Sequence, residues 1–299
     1  MNEFLLSRIS ASPHLVGVEL TAAEIRRAVR AALAEDLGGG DVTTLATVPA
    51  AAKSVARMNV REPLTVAGLP FAEFAFRELS PKIKIQKLAR DGQKVAAGKT
   101  LLKISGPSRA ILSAERVALN FVQRLSGVAT ATARFANEIK GTRAKILDTR
   151  KTTPGWRRFE KYAVKCGGGK NHRIGLFDLV LIKDNHLVAL RNEKPNAIAA
   201  AVARARKTFP KLKVEVEADT LEQVAQAADT GADLILLDNM PPGILRQAVK
   251  IIRGRAKTEA SGGVNLKTVR AIAATGVDFI SVGAITHSAR AVDIGLDFK

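Results

Sequence analysis

Six clusters of polar and glycine residues each follow a short apolar run in the second half of the chain. They are Asp148-Thr149-Arg150-Lys151, Lys183-Asp184-Asn185-His186, Glu217 with Asp219, Asp238-Asn239, Ser261-Gly262-Gly263 and Gly283-Ala284. Arg150, Lys151 and Lys183, joined by His172 and Arg173 from a long loop, form a cationic set. Guanidinium forks and ammonium groups bind carboxylates through charge-assisted hydrogen bonds. Glu217 and Asp238 offer two hard oxygen ligands, a set that holds magnesium while leaving room for substrate phosphates. Ser261, Gly262, Gly263, Gly283 and Ala284 precede helical stretches, where free backbone N–H groups cradle a phosphate. The residue types together imply a ligand with acidic groups, a metal-bound phosphate and a second phosphate. Surface solvation accounts for some of these groups. It does not easily account for cations after the first two runs, carboxylates after the next two and glycines after the last two.

Something must bring these clusters to one face. The apolar runs 144–147, 179–182, 212–216, 234–237, 258–260 and 279–282 have the length of buried strands. Helical stretches lie between most of them, at 197–208, 220–230, 242–253 and 266–275. Gly231 and Gly276 sit where a left-handed helix cap needs glycine. Strands alternating with helices argue for a parallel sheet. The central positions Ile146, Leu181, Val214, Leu236, Glu259 and Ser281 are spaced as in a closed or nearly closed α/β barrel, whose chemistry sits at the carboxyl ends of its strands.

The first half reads as an α+β segment without a phosphate loop or metal-ligand spacing. Thr21 and Glu24 form a capping-box pattern for a helix over 21–37, with Ile25, Val29 and Leu33 on one face. Short strands are expected at 55–61 and 82–88. Pro70 starts a short helix carrying Phe71 and Phe74, and Leu101, Leu102 and Ile104 are core candidates. A further helix over 109–126 places Ile111, Ala118, Leu119, Val122 and Leu125 on one stripe. Glu115 falls in the middle of that stripe and Arg116 on its edge. Buried charges must be paired. Either the two residues pair with each other or the stripe partly faces another subunit, or else Arg116 is functional.

The chain has 299 residues, 46% hydrophobic and 25% charged, which excludes whole-chain disorder. No apolar run reaches the roughly 18 residues of a membrane helix, and no signal peptide is visible. One cysteine, Cys166, excludes a disulfide framework and a multi-cysteine metal site and favours a cytoplasmic setting. The formal charge of +19 favours acidic partners. Aromatic residues make up only 4%, which weighs against a single-strand nucleic-acid binder. Residues 143–183 carry eleven Lys/Arg against three Asp/Glu, and 150–183 is too long and glycine-rich for a plain connection. Arg157, Arg158, Lys165 and Lys170 read as solvated charges. Cys166 reads as a buried or bystander thiol, Trp156 as loop packing, His186 and His287 as structural, and His14 as without a role.

The stretches Asp148-Thr-Arg-Lys-Thr-Thr-Pro-Gly155, Lys161-Tyr-Ala-Val164, Gly167-Gly-Gly-Lys-Asn-His-Arg173 and Leu181-Ile-Lys-Asp-Asn-His186 resemble the quinolinate phosphoribosyltransferase family. The resemblance extends through Glu35-Asp-Leu-Gly-Gly-Gly-Asp-Val-Thr-Thr44, Glu115-Arg-Val-Ala-Leu-Asn120, Leu236-Leu-Asp-Asn239, Ser261-Gly-Gly263 and Val282-Gly-Ala-Ile-Thr-His-Ser288. It implies an α/β protein with an N-terminal α/β sandwich domain (1–127), an incomplete, open parallel α/β barrel (128–285) and a tail (286–299) that packs back on the first domain. It implies a homodimer, or a multiple of dimers, with shared active sites, in which Arg116 acts in trans. Thr149, Arg150, Lys151, His172, Arg173 and Lys183 would hold quinolinate. Lys151, Glu217 and Asp238 would be catalytic, with Glu217 and Asp238 also near magnesium. Ser261, Gly262, Gly263, Val282, Gly283 and Ala284 would hold the phosphoribosyl phosphate.

The reaction so implied joins quinolinate to phosphoribosyl pyrophosphate and releases pyrophosphate and CO2, giving nicotinate mononucleotide for de novo NAD synthesis. Two rivals share the architecture. One is a phosphoribosyltransferase for another acid, of the kind linked to molybdenum transport. The other is a Schiff-base aldolase with Lys183 as nucleophile. No membrane partner and no specific nucleic acid are expected.

Overall fold

The computed structural model describes residues 18–298, so His14 lies outside the described residues. The strands, in chain order, are β1 (Lys53–Val60), β2 (Leu64–Thr65), β3 (Lys84–Lys87), β4 (Lys94–Val95), β5 (Thr100–Pro107), β6 (Lys145–Leu147), β7 (Val180–Ile182), β8 (Val214–Ala218), β9 (Leu234–Asp238), β10 (Lys257–Ser261), β11 (Phe279–Ser281) and β12 (Ile294–Phe298). Two compact units emerge, one from residues 18–133, 158–168 and 288–298, the other from 134–157 and 169–287.

The first unit holds an antiparallel sheet in the order β12-β1-β5-β3. Helix Ala22–Leu37 begins as its sequence requires. Thr21 Oγ1 accepts the Glu24 N–H at 3.2 Å and Glu24 Oε2 accepts the Thr21 N–H at 2.9 Å, while Ile25, Val29 and Leu33 are buried. Helix Leu69–Leu79 starts after Gly68, at φ 95°, with Pro70 in its first turn. Its core residues are Phe71 and Phe76, and Phe71 stacks on Phe121 with centroids 4.8 Å apart. Phe74, on the same helix, is half-buried beneath the guanidinium of Arg26.

Helix Ser108–Glu138 runs well beyond the expected end at 126. It passes through Gly127, where a Cβ would lie 2.0 Å from the Arg290 carbonyl oxygen. Glycine inside a helix costs about 1 kcal/mol; here it admits the backbone of 290–291, so it marks a close approach and not a helix end. The chain terminus is tied down nearby. β12 pairs antiparallel with β1, placing Leu296 opposite Met58, and Gln123 Nε2 donates to the Ile294 carbonyl at 2.8 Å. Arg124 Nη2 meets the fully buried Glu160 at 2.5 Å.

The second unit is a parallel sheet in the order β6-β11-β10-β9-β8-β7. β6 and β7, consecutive along the chain, occupy its two ends, so the barrel is open, as expected. Leu234–Leu237 of β9 are all buried, the pattern of a strand covered on both faces. Helices Ala197–Thr208, Leu221–Asp229 and Pro242–Ile252 match their periodic stretches within a residue. The stretch 266–275 narrows to Val269–Ala273 because Asn265 Oδ1 accepts the N–H groups of Lys267 and Thr268, holding a turn where a helix was expected. Among the described residues no helix is long and apolar enough to cross a membrane.

Candidate active site

The carboxyl ends of the six parallel strands surround one cavity of about 680 Å³, a size that suits a small ligand. Thr149, Arg150, Lys151, His172, Arg173, Lys183, Glu217, Asp238, Ser261, Gly262, Gly263, Val282, Gly283 and Ala284 all line it. Arg116 does not. It is exposed on helix Ser108–Glu138, and burial raises the pKa of the neighbouring half-buried Glu115.

The loop residues reach the cavity because segment 170–173 runs alongside β6. The Lys170 N–H donates to the Ile146 carbonyl at 2.8 Å, and the Asp148 N–H donates to the Lys170 carbonyl at 3.2 Å. Fully buried Asp148 then accepts the His172 N–H at 2.8 Å and Asn171 Nδ2 at 2.6 Å. Asp148 thus positions the loop that presents His172 and Arg173. Arg173 Nη1 donates to the Leu179 carbonyl, and its pKa is lowered by burial and by the neighbouring Arg150. Arg150 Nε is buried without a hydrogen-bond partner, a donor held ready for an anion.

Two cations of the expected set behave differently from expectation. Lys183 Nζ lies 2.5 Å from Glu217 Oε2. β7 and β8 align Ile182 with Val216, so the next residue of each strand, Lys183 and Glu217, meet at the rim. The cationic and anionic zones are therefore joined, not separate, and a lysine so paired is poorly placed as a Schiff-base nucleophile. His172 is the second case. Its Nδ1 lies 2.7 Å from the Arg173 backbone nitrogen, and its Nε2 lies 3.0 and 3.5 Å from the carboxyls of Glu215 and Glu259. His172 thus lines the cavity while facing two buried acids.

The other lining residues fill their places more simply. Asp238 Oδ2 accepts Asn239 Nδ2 at 2.6 Å. Gly262 has φ 91°, and a Cβ there would lie 2.1 Å from Asn239 Oδ1, so only glycine lets the β9 and β10 turns touch. The Val282 N–H donates to the Leu147 carbonyl at 3.0 Å and is not available to a phosphate. A Cβ on Gly283 would lie 3.2 Å from Lys151 Cδ, which places the Lys151 stem over that turn. His186 is structural, its Nδ1 accepting the Lys183 N–H at 2.8 Å. His287 lines the cavity. Outside the cavity, Arg158 and Lys165 pair with Glu24 and Glu19, and Arg157 donates to Thr152 and the Ile174 carbonyl. Burial pushes the Cys166 thiol up to about 12, which leaves it inert.

Two lining or neighbouring acids escaped the sequence reading. Glu215 on β8 and Glu259 on β10 are 0% and 1% exposed. Their oxygens lie 3.0 and 3.5 Å from His172 Nε2.

An open parallel barrel gathering guanidinium groups, carboxylates and glycine turns at one mouth defines an enzyme that handles a small polyanionic substrate. Two family models match the chain: the N-terminal domain of quinolinate phosphoribosyl transferase over residues 41–126 and its C-terminal domain over 128–297. The chain belongs to the quinolinate phosphoribosyltransferase family. It is similar to the nicotinate-nucleotide pyrophosphorylase (carboxylating) of Mycobacterium leprae, at 44% identity over 91% of this chain and 96% of that protein. It is also similar to the chloroplastic protein of the same name from Arabidopsis thaliana, at 42% identity over 91% and 82%. Among solved structures, the nicotinate-nucleotide pyrophosphorylase of Francisella tularensis matches with a TM-score of 0.89 and 41% identity, over 96% of this chain and all of that one.

Proposed function

We propose that this protein transfers phosphoribosyl from phosphoribosyl pyrophosphate to quinolinate with loss of CO2, making nicotinate mononucleotide and pyrophosphate in de novo NAD synthesis. The observation that carries this reading is the single cavity that joins Arg150, Lys151 and Arg173 to Glu217, Asp238 and the glycine turns. The cations hold the two carboxylates of quinolinate. The pyridine nitrogen attacks ribose C1 and pyrophosphate leaves. Positive charge developing on the ribosyl ring is stabilised by Glu217 and Asp238. The new pyridinium draws in the electron pair of the breaking C2–carboxylate bond. Ser261, Gly262, Gly263, Gly283 and Ala284 hold the phosphate, and Lys151 lies between the two substrates.

Glu217 and Asp238 suit magnesium. Both are hard oxygen donors at the cavity, each with one oxygen engaged, by Lys183 and by Asn239, and a second to offer. Magnesium held there with substrate phosphate oxygens would neutralise charge on the leaving pyrophosphate. A homodimer, or a multiple of dimers, in which Arg116 enters the partner's site is supported by the exposure of Arg116 beside a half-buried carboxyl. A reducing, cytoplasmic compartment suits a chain with one free cysteine.

The testing experiment supplies quinolinate, phosphoribosyl pyrophosphate and magnesium and follows CO2 and nicotinate mononucleotide. Absence of both products under these conditions overturns the reading. Glu217→Ala and Asp238→Ala should each lower kcat by roughly 10²-fold or more, the effect of removing a charge interaction made in the transition state. Quinolinate affinity should fall less, and less for Asp238→Ala than for Glu217→Ala, because Glu217 also holds Lys183. Steady-state kinetics giving near-wild-type kcat in both variants would remove their assigned role.

A further inference from the structure

We propose that the lower half of the barrel interior is a second binding site, for a small aromatic monocarboxylic acid that carries a hydrogen-bond donor opposite its carboxylate. The site is a cavity of about 260 Å³ toward the amino ends of the strands, with Leu147, Leu179, Leu234, Phe279, Lys213 and Lys257 in its lining. None of these six residues lines the substrate cavity. Occupancy of this site does not depend on the reaction proposed above.

The sequence of the strands explains why this space is open. Side chains along a strand alternate between faces. Lys213, Leu234, Lys257 and Phe279 therefore share a face with Glu215, Leu236, Glu259 and Ser281, two residues further on. Pairing of β9 with β10 sets Leu234 beside Lys257 and Leu236 beside Glu259. These are successive layers of the barrel interior, which side chains normally fill. The lower layer is not filled, because two of its places belong to lysines. A lysine carries its ammonium out to water, and Lys213 and Lys257 are both exposed. The buried Leu147, Leu179, Leu234 and Phe279 then wall a space that the lysine stems leave open.

The two ends of the cavity differ in charge, which sets the ligand's polarity. At the outer end stand Lys213 and Lys257. The acids nearby are already engaged: Asp233 meets Arg206 at 2.6 Å, and Asp278 is shared by Lys257 at 3.2 Å and Arg143 at 3.6 Å. An anionic group is favoured there. The inner end is acid-rich instead. Glu259 Oε1 accepts the Ser281 hydroxyl, while Oε2 is buried without a hydrogen-bond partner among the described residues. His172 Nε2 stands 3.5 Å from that oxygen and 3.0 Å from Glu215, and Arg173 gives Nη1 to the Leu179 carbonyl at 3.2 Å. A buried acceptor without a donor is costly, so the inner end of the ligand is an N–H or O–H group. An apolar cavity of about 150 Å³ takes up a benzene ring. The larger volume here leaves room for a ring with one substituent at each end. Lys257 and Glu259 are two residues apart, about 6.6 Å along the strand, so a single ring reaches both ends. His172, Arg173 and Glu259 line both cavities, so the two sites share a wall.

The test is isothermal titration calorimetry with 4-aminobenzoate, run with and without excess quinolinate. The wild-type protein should bind one molecule per chain at or below about 1 mM in both conditions. Benzoate, which lacks the donor, should bind roughly tenfold more weakly. Leu234→Phe fills the cavity and should abolish binding. Lys213→Ala combined with Lys257→Ala changes only exposed side chains, should weaken binding by about threefold or more, and serves if the filled variant does not fold. Quinolinate affinity should be unchanged in both variants. An isotherm that excess quinolinate removes and that Leu234→Phe leaves intact would place the acid in the substrate cavity and overturn the proposal. So would a wild-type protein that binds no 4-aminobenzoate, or variants that bind it as tightly as wild type. Benzoate binding as tightly as 4-aminobenzoate would overturn the part given to Glu259. Failure of the functional reading would look different: quinolinate itself would not bind, while the comparison of Leu234→Phe with wild type would still decide this site.

Discussion

Subunits carrying Arg116→Ala and subunits carrying Lys183→Ala should each be inactive alone, and mixing them should restore about a quarter of wild-type activity. The fraction follows from twofold symmetry: random exchange makes about half the dimers mixed, and each mixed dimer has one whole site of two. The whole site combines an intact Lys183 with an intact Arg116 from the other subunit, while the second site lacks both. Arg116 is exposed on its own helix and lines no part of the barrel cavity within its own chain. Removing it should leave stability within about 0.5 kcal/mol, as for a surface substitution, so lost activity would not reflect unfolding. Native mass spectrometry can confirm exchange. Confirmed mixed dimers without activity would show that Arg116 does not complete a partner's site.

The barrel was legible because strand–helix alternation needs only hydrophobic periodicity, and the polar groups after each strand announced the mouth. What periodicity could not supply was the meaning of acids inside strands. In Val214-Glu215-Val216-Glu217 the alternation resembles a strand with one wet face, yet Glu215 is fully buried and Glu217 nearly so. The signal was available: a strand in a parallel sheet is covered on both faces, so a mid-strand glutamate must have a partner or a task. Glu259, central in β10, is buried for the same reason. The setting of His172 was equally hidden, since β8 and β10 bring Glu215 and Glu259 to its Nε2. Helix Ser108–Glu138 outran its expected end because the close contact that justifies Gly127 comes from residue 290, far along the sequence.

Substrate choice follows from the charges that remain. With His172 facing Glu215 and Glu259 and Lys183 engaged by Glu217, the cavity keeps Arg150, Lys151 and Arg173 for the acid substrate, to which the partner's guanidinium would be added. Arg150 Nε is buried and unpartnered, and Arg173 already resists its burial beside Arg150. Crowded cations closed away from water without counter-charge are costly. Quinolinate brings two adjacent carboxylates and satisfies them; nicotinate brings only the 3-carboxylate and leaves donors at the 2-position empty. Nicotinate should therefore be used roughly 10²-fold or more less efficiently in kcat/KM, the size expected when a site's buried polar groups lose their partner. Relieving the crowding should narrow the gap. Arg150→Gln should cost quinolinate more than nicotinate, since the variant removes a donor that only the dicarboxylate fully uses. Parallel assays of both acids with both proteins measure this directly. Equal use of quinolinate and nicotinate by the wild-type protein would show that the clamp is not built for a second carboxylate.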